Sequence, residues 1–129
     1  MIEKLYDAAC ATAVKRWPQG EAVAGAALTD KGSILTSIWV DASVDSACLC
    51  AETGAICEAH KLDEQITHIV CVSRKDENSE FVVLPSCGIC QERLAVFGMD
   101  LEIAISGDRS GNVVFKTLAE LRPNYWAKN

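Results

Sequence analysis

The sequence predicts an α/β domain of about five strands with helices interleaved, on three observations. Half of the 129 residues are hydrophobic and the mean hydropathy is +0.13. That is too apolar for a disordered chain and suits one compact domain. Segments of helical and extended periodicity alternate along the chain. The last two strands are joined only by Ser106 to Gly111, a loop short enough for antiparallel pairing where a parallel crossover needs a dozen residues or more. With no internal repeat, low-complexity tract or long linker, residues 1–129 read as a single domain.

Glu3 to Trp17 carries helix formers with apolar positions at Leu5, Ala8, Ala9 and Ala13, and Pro18-Gln19-Gly20 ends it. A hairpin follows: Ala22 to Leu28, the turn Thr29-Asp30-Lys31-Gly32, then Ser33 to Val40. Beyond the polar Asp41 to Ser46, the segment Ala47 to Lys61 reads as a buried helix whose small residues suit close packing on a sheet. Ile66 to Ser73 is a strand, Arg74 to Glu80 a charged loop, and Phe81 to Leu84 a short extended approach to Pro85. Helical periodicity resumes from Cys87 to Phe97, and Gly98 stops it. Leu101 to Ile105 and Asn112 to Lys116 are the closing strands, with Thr117 to Leu121 a short capped helix before Pro123.

Charge narrows the function classes. Eighteen acidic against twelve basic side chains give a net charge of −6 and a pI near 4.8, opposite to the Lys and Arg clustering that binds a phosphate backbone. A small-molecule substrate is expected, and no nucleic acid partner. No apolar run approaches the ~18 residues that span a bilayer, so no membrane association is expected. The first residues lack the apolar core of a secretory signal. A reducing, cytoplasmic setting is the expectation, and there cysteines at short spacing serve more often as metal ligands or reactive thiols than as disulfides.

Three of the seven cysteines stand out: Cys50 in Cys50-Ala51-Glu52, and the pair Cys87-Gly88-Ile89-Cys90. Cys87 and Cys90, three apart at a helix start, face the same side of its first turn. The free N–H groups and positive dipole end there favour thiolate over thiol. If the helix start near Cys50 abuts that one, three thiolates converge on one zinc ion and leave a fourth position open, the arrangement of a catalytic site. Glu52, beside the same helix end, can lean towards that position and move protons between a water and a leaving group.

Cys50-Ala51-Glu52 followed 35 positions after Glu52 by Cys87-x-x-Cys90 resembles the zinc-dependent cytidine deaminase superfamily, whose signature pairs (His/Cys)-x-Glu with Cys-x-x-Cys. Gly25-Ala26-Ala27-Leu28 before Asp30-Lys31-Gly32 is similar to the family's first hairpin, and Glu120-Leu121-Arg122-Pro123 to its leucine-proline element. A cysteine as first ligand is similar to the small tetrameric cytidine deaminases and to blasticidin S deaminase. The resemblance implies a three-layer α/β/α fold with a mixed five-stranded sheet, zinc on Cys50, Cys87 and Cys90, Glu52 as the catalytic acid/base, and a homotetramer with composite sites. It also implies that the backbone of Ala51 and Ser86 positions the base edge, and that C-terminal aromatics such as Trp126 cap a site.

The chain departs from the family pattern at several positions. Trp39-Val40-Asp41 stands where small cytidine deaminases have Asn-x-Glu contacting the ribose, which leaves Trp39 and Asp41 as candidate substrate contacts of a different kind. Thr53 replaces an arginine that offsets thiolate charge, Gln91-Glu92 replaces Arg-Gln, and Ser86 replaces proline. Zn²⁺ on three thiolates carries a formal charge of −1, and Arg93 is the candidate to temper it. Bland readings stand beside these: Trp39 as a strand-end core residue, Asp41 as a loop cap, and Cys10, Cys48, Cys57 and Cys71 as packing residues. The expected function is deamination of a small aminated heterocycle, first cytidine or deoxycytidine. The rivals are a blasticidin S-type antibiotic or free base as substrate, a non-catalytic zinc module, and a thiol redox protein.

Overall fold

A computed structural model describes residues 1–127 of the protein. The elements in order are α1 (Leu5–Arg16), β1 (Ala22–Thr29), β2 (Ile34–Ile38), α2 (Thr53–Leu62), β3 (Ile66–Arg74), β4 (Val82–Val83), α3 (Gly88–Leu94), β5 (Glu102–Ser106), β6 (Val114–Thr117) and α4 (Leu118–Leu121). Single 3₁₀ turns cover Ile2–Lys4, Asp45–Ala47 and Ala95–Phe97.

The sheet runs β2-β1-β3-β5-β6, with β4 paired to β3 outside that path. Every pairing is antiparallel except β3 with β5, which is parallel and is connected through β4 and α3. The predicted mixed sheet with an antiparallel last pair is therefore the observed one. Phe81 to Leu84 goes beyond its expected role: Val82 and Val83 pair with Ser73 and Val72 as a further short strand.

Strand β1 is buried along nearly its whole length, and five of its eight residues are alanines or glycine. Its two faces meet different layers. Ala22, Ala24, Ala26 and Leu28 pack with Val70 and Val72 against the α1 stripe Leu5, Tyr6, Ala9 and Ala13. Ala27 joins Leu35, Ile69 and Ile103 against Ala55, Ile56 and Ala59 of α2, Leu94 of α3 and Leu118 of α4. Helices thus cover both faces, giving the three layers the resemblance implied. The guanidinium of Arg74 ties the end of β3 to the end of α1, donating to the carbonyls of Trp17 (2.6 Å) and Gly20 (3.2 Å).

Small residues let the α2 layer descend onto the sheet. A Cβ on Gly54 would stand 2.7 Å from Cβ of Ser37, and one on Gly25 would stand 3.2 Å from the Ala51 carbonyl oxygen and 3.4 Å from Cα of Glu52. The Cys50 to Glu52 segment therefore rests directly on β1, and the Ser37 hydroxyl hydrogen-bonds to the Ala51 carbonyl.

Candidate active site

Two helix starts build the site, and they are built differently. At α3, Cys87 is the N-cap in extended conformation, and the N–H of Gln91 closes the first helical bond onto its carbonyl at 2.9 Å. At α2 the helix begins at Thr53, not at Ala47 as the composition predicted. Leu49 is held instead in a two-way bridge with Val40, both N–H···O distances 3.0 Å. The chain then turns at Ala51-Glu52, and the Thr53 N–H donates to the Cys50 carbonyl at 3.0 Å. The bridge and the contacts with Ser37 and Gly25 are tertiary, and they override the local helix preference of Ala47 to Glu52.

These two starts bring Cys50, Cys87 and Cys90 together. Sγ of Cys50 and Sγ of Cys87 lie 3.3 Å apart, and all three sulfurs fall within 4.8 Å of one another. Tetrahedral Zn–S bonds of about 2.3 Å set sulfurs about 3.8 Å apart, so the spacing and soft donor chemistry of the three thiols fit that ion. Among the described residues these three form the His, Cys, Asp or Glu group close enough to hold a metal ion. His68 is engaged elsewhere, with Nε2 2.9 Å from Glu102 and Nδ1 3.0 Å from the Thr67 hydroxyl.

Glu52 is the N-cap of α2, yet its side chain makes no capping bond. It is only 3% exposed and turns into the site. Its Oε2 accepts from the Ser86 hydroxyl at 2.7 Å, and its Oε1 lies 3.8 Å from the Cys90 thiol. Ser86 is 5% exposed, and its carbonyl accepts from Nε2 of Gln91 at 3.0 Å. Sequence reasoning gave Ser86 only a backbone role and gave Gln91 and Ser37 none, because each bond joins segments that no local pattern links.

The thiols differ in proton affinity for physical reasons. Burial pushes Cys90 well above the ordinary thiol value, and the negative charge of Glu52 adds to it. Burial also raises Cys50, helped by its hydrogen bond with Cys87. At Cys87 burial pulls in the same upward direction but is outweighed: the N–H groups of Cys90 and Ile89 and the Cys50 thiol hold it below the ordinary value. The helix-start effect thus falls on Cys87. All seven cysteines are free thiols, and burial lifts Cys71 strongly and Cys10 to about 11.

The remaining expected residues surround this centre. Arg93 donates to the Thr53 hydroxyl at 3.1 Å, bridging α3 to the first residue of α2. Trp39 and Asp41 flank Val40 and so reach the Cys50 segment through the Val40–Leu49 bridge. Their side chains have other partners: the Trp39 indole lies 6.1 Å from that of Trp17, centre to centre, and Oδ1 of Asp41 lies 3.6 Å from the Cys48 thiol. Trp126 is 79% exposed. Its indole N–H donates to Glu92 of α3 at 3.4 Å, and the same carboxylate accepts from Tyr125 at 2.5 Å and pairs with Arg122 at 3.4 Å.

No protein-family model matches the chain, and no curated protein sequence does. Solved structures do. The cytidine deaminase from Bacillus anthracis superposes with a TM-score of 0.90 at 41% identity, over 98% of this chain and 90% of that one. A mutant of the cytidine deaminase from Mycobacterium tuberculosis gives 0.76 at 26% identity, covering 98% of each chain. The cytidine deaminase from Burkholderia pseudomallei gives 0.76 at 20% identity over 98% of this chain and 99% of that one, a likeness of fold. With the three-thiol cluster, the buried glutamate beside it and a relative of this identity over nearly the full length, the chain belongs to the cytidine deaminase superfamily.

Proposed function

We propose that the protein is a zinc-dependent hydrolytic deaminase of cytidine or deoxycytidine, releasing ammonia and leaving an oxo group on the ring. The observation that carries this reading is the Glu52 carboxylate, buried and set with one oxygen towards three clustered thiols. The 41% identity to a cytidine deaminase supports the substrate.

Cys50, Cys87 and Cys90 would hold zinc, which when bound makes water a nucleophile near neutral pH. The chain's own residues do the rest. Glu52 takes one proton of the attacking water on Oε1 and passes it to the ring nitrogen, then takes the second from the hydroxyl formed on the ring carbon and gives it to the amine, which leaves as ammonia while the ring carbon becomes an oxo group. The Ala51 N–H and the Ser86 carbonyl hold the edge of the base, the latter fixed by Gln91. Arg93, through Thr53, lends positive charge near the thiolates. Trp39 and Asp41 contact the part of the substrate beyond the base, and Trp126 caps a site, in the homotetramer that the resemblance implies. A cytoplasmic location and the absence of a nucleic acid partner go with this reading. No helix among the described residues is long and apolar enough to cross a membrane.

A second reading has one observation of its own. Trp39 stands where the family pattern has an amide for the ribose, which favours a substrate whose sugar is altered or missing, such as a blasticidin S-type antibiotic or a free base. An ammonia-release panel of cytidine, deoxycytidine, blasticidin S and cytosine, run with wild type and Glu52→Ala, tests both. Release from cytidine that disappears in the variant supports the first reading. Release confined to the other compounds moves the substrate, and activity that survives in Glu52→Ala overturns the mechanism. Zinc bound without any ammonia release would leave a non-catalytic zinc module.

A further inference from the structure

A carboxylate that moves protons must present the same oxygen each time, yet the terminal torsion of a glutamate is broad and holds no fixed angle by itself. Burial sharpens the problem, since a desolvated carboxylate needs donors. Glu52 does not find them in its own helix: it sits at the N-cap of α2 and bonds none of the N–H groups there. Its donors are the Ser86 hydroxyl on Oε2, from the segment leading into α3, and the Cys90 thiol of α3 near Oε1. As a metal ligand Cys90 is a thiolate and has no S–H to give. Of these two the Ser86 hydroxyl is the one left, a 2.7 Å contact beside the buried Cys71 thiol, which also reaches Glu52.

We propose that the Ser86 hydroxyl is the positioning group of the site, holding Oε2 of Glu52 so that Oε1 faces the three sulfurs. This rests on the deaminase reading above. Ser86 is suited to the task because it is itself fixed. It is buried, follows Pro85, has its carbonyl held by Gln91, and directly precedes the ligand Cys87. The hydroxyl and a metal ligand thus sit on consecutive residues, and any shift of one moves the other. The proline that the family pattern carries at this position has no hydroxyl, so this anchor is a feature of this chain.

The test compares zinc-loaded wild type with Ser86→Ala and Ser86→Thr. Ser86→Ala is expected to lower kcat about 10- to 100-fold, the scale of a mispositioned catalytic group, while KM stays within about threefold and metal content is unchanged. Ser86→Thr, which keeps the hydroxyl, is expected to recover most of kcat. Crystal structures supply a readout independent of turnover: the Glu52 carboxylate should rotate or split into two orientations in Ser86→Ala and stay in place in Ser86→Thr. The proposal is overturned if kcat in Ser86→Ala remains within twofold of wild type, if activity is lost together with the metal, or if Glu52 has not moved. If wild type turns over nothing in the substrate panel, the deaminase reading fails and the crystallographic comparison alone decides the anchor. Should Ser86→Ala not fold, Ser86→Gly, which also lacks the hydroxyl, replaces it under the same criteria.

Discussion

The two helix starts that meet at the site do different jobs with similar parts. At α3 the cysteine is the N-cap; it makes no cap bond, but the nearby N–H groups of Cys90 and Ile89 lower its proton affinity. At α2 the cysteine stands two residues ahead of the N-cap, has no such N–H groups lowering it, and its proton affinity rises with burial. What α2 supplies is the N-cap glutamate, whose side chain abandons capping for the site. One helix end therefore works by electrostatics and the other by placing a carboxylate. An N-cap that leaves its cap bond unmade forgoes about 1 kcal/mol of helix stability, and here the sheet contacts of Ala51 hold the turn in its place.

The largest break of this comparison removes the thiol the two starts share. Cys90→Ala, at a fully buried position, is expected to abolish both metal retention and activity, read by metal analysis after dialysis and by ammonia release. Next comes the seating of the α2 start. Gly54→Ala presses on Ser37, a strain expected to cost about 1–3 kcal/mol, visible as a fall of several degrees in Tm. Its kcat should fall further than that of an equally destabilised α1 variant such as Ala9→Gly, because only the first displaces Glu52.

A chemical experiment sharpens the electrostatic half. In chelator-treated protein Cys87 should be alkylated before Cys50, and Cys90 last, as mapped by mass spectrometry. The sign follows from the directions of the shifts. The lowered Cys87 is thiolate at pH values where the raised Cys50 is still protonated, so its rate levels off first as pH rises. The smallest effect is expected at Glu92→Ala, which releases Arg122, Tyr125 and Trp126 from α3. These contacts are exposed, so stability should change by less than about 1 kcal/mol in thermal unfolding, while metal content stays the same.

The site was legible in the sequence where its parts are local. Cys87-x-x-Cys90 shares one helical turn, and Cys50-x-Glu52 shares one chain reversal, so spacing alone announced both. The first hairpin and the antiparallel pairing of the last two strands followed from loop lengths. The start of α2 was not legible, because Ala47 to Glu52 has helix-compatible composition and is pulled straight by Val40, Ser37 and Gly25, far away in the chain. The same holds for Ser86 on Glu52, which spans 34 positions, and for the two-residue β4, whose existence depends on β3. Trp39 shows the limit for side chains: its place in the sequence suggested the substrate, and its nearest aromatic partner is Trp17 at the end of α1.

The parallel pairing of β3 with β5 has a consequence for synthesis. Cys50 and Cys87 are 37 positions apart, and α3 lies in the connection that runs through β4 from β3 to β5. A nascent chain that has emerged as far as β3 carries one thiol of the three and has no way to hold the ion. A complete three-thiol site is therefore expected only once α3 has been made and packed beside α2, and zinc held by all three thiols would report that packing.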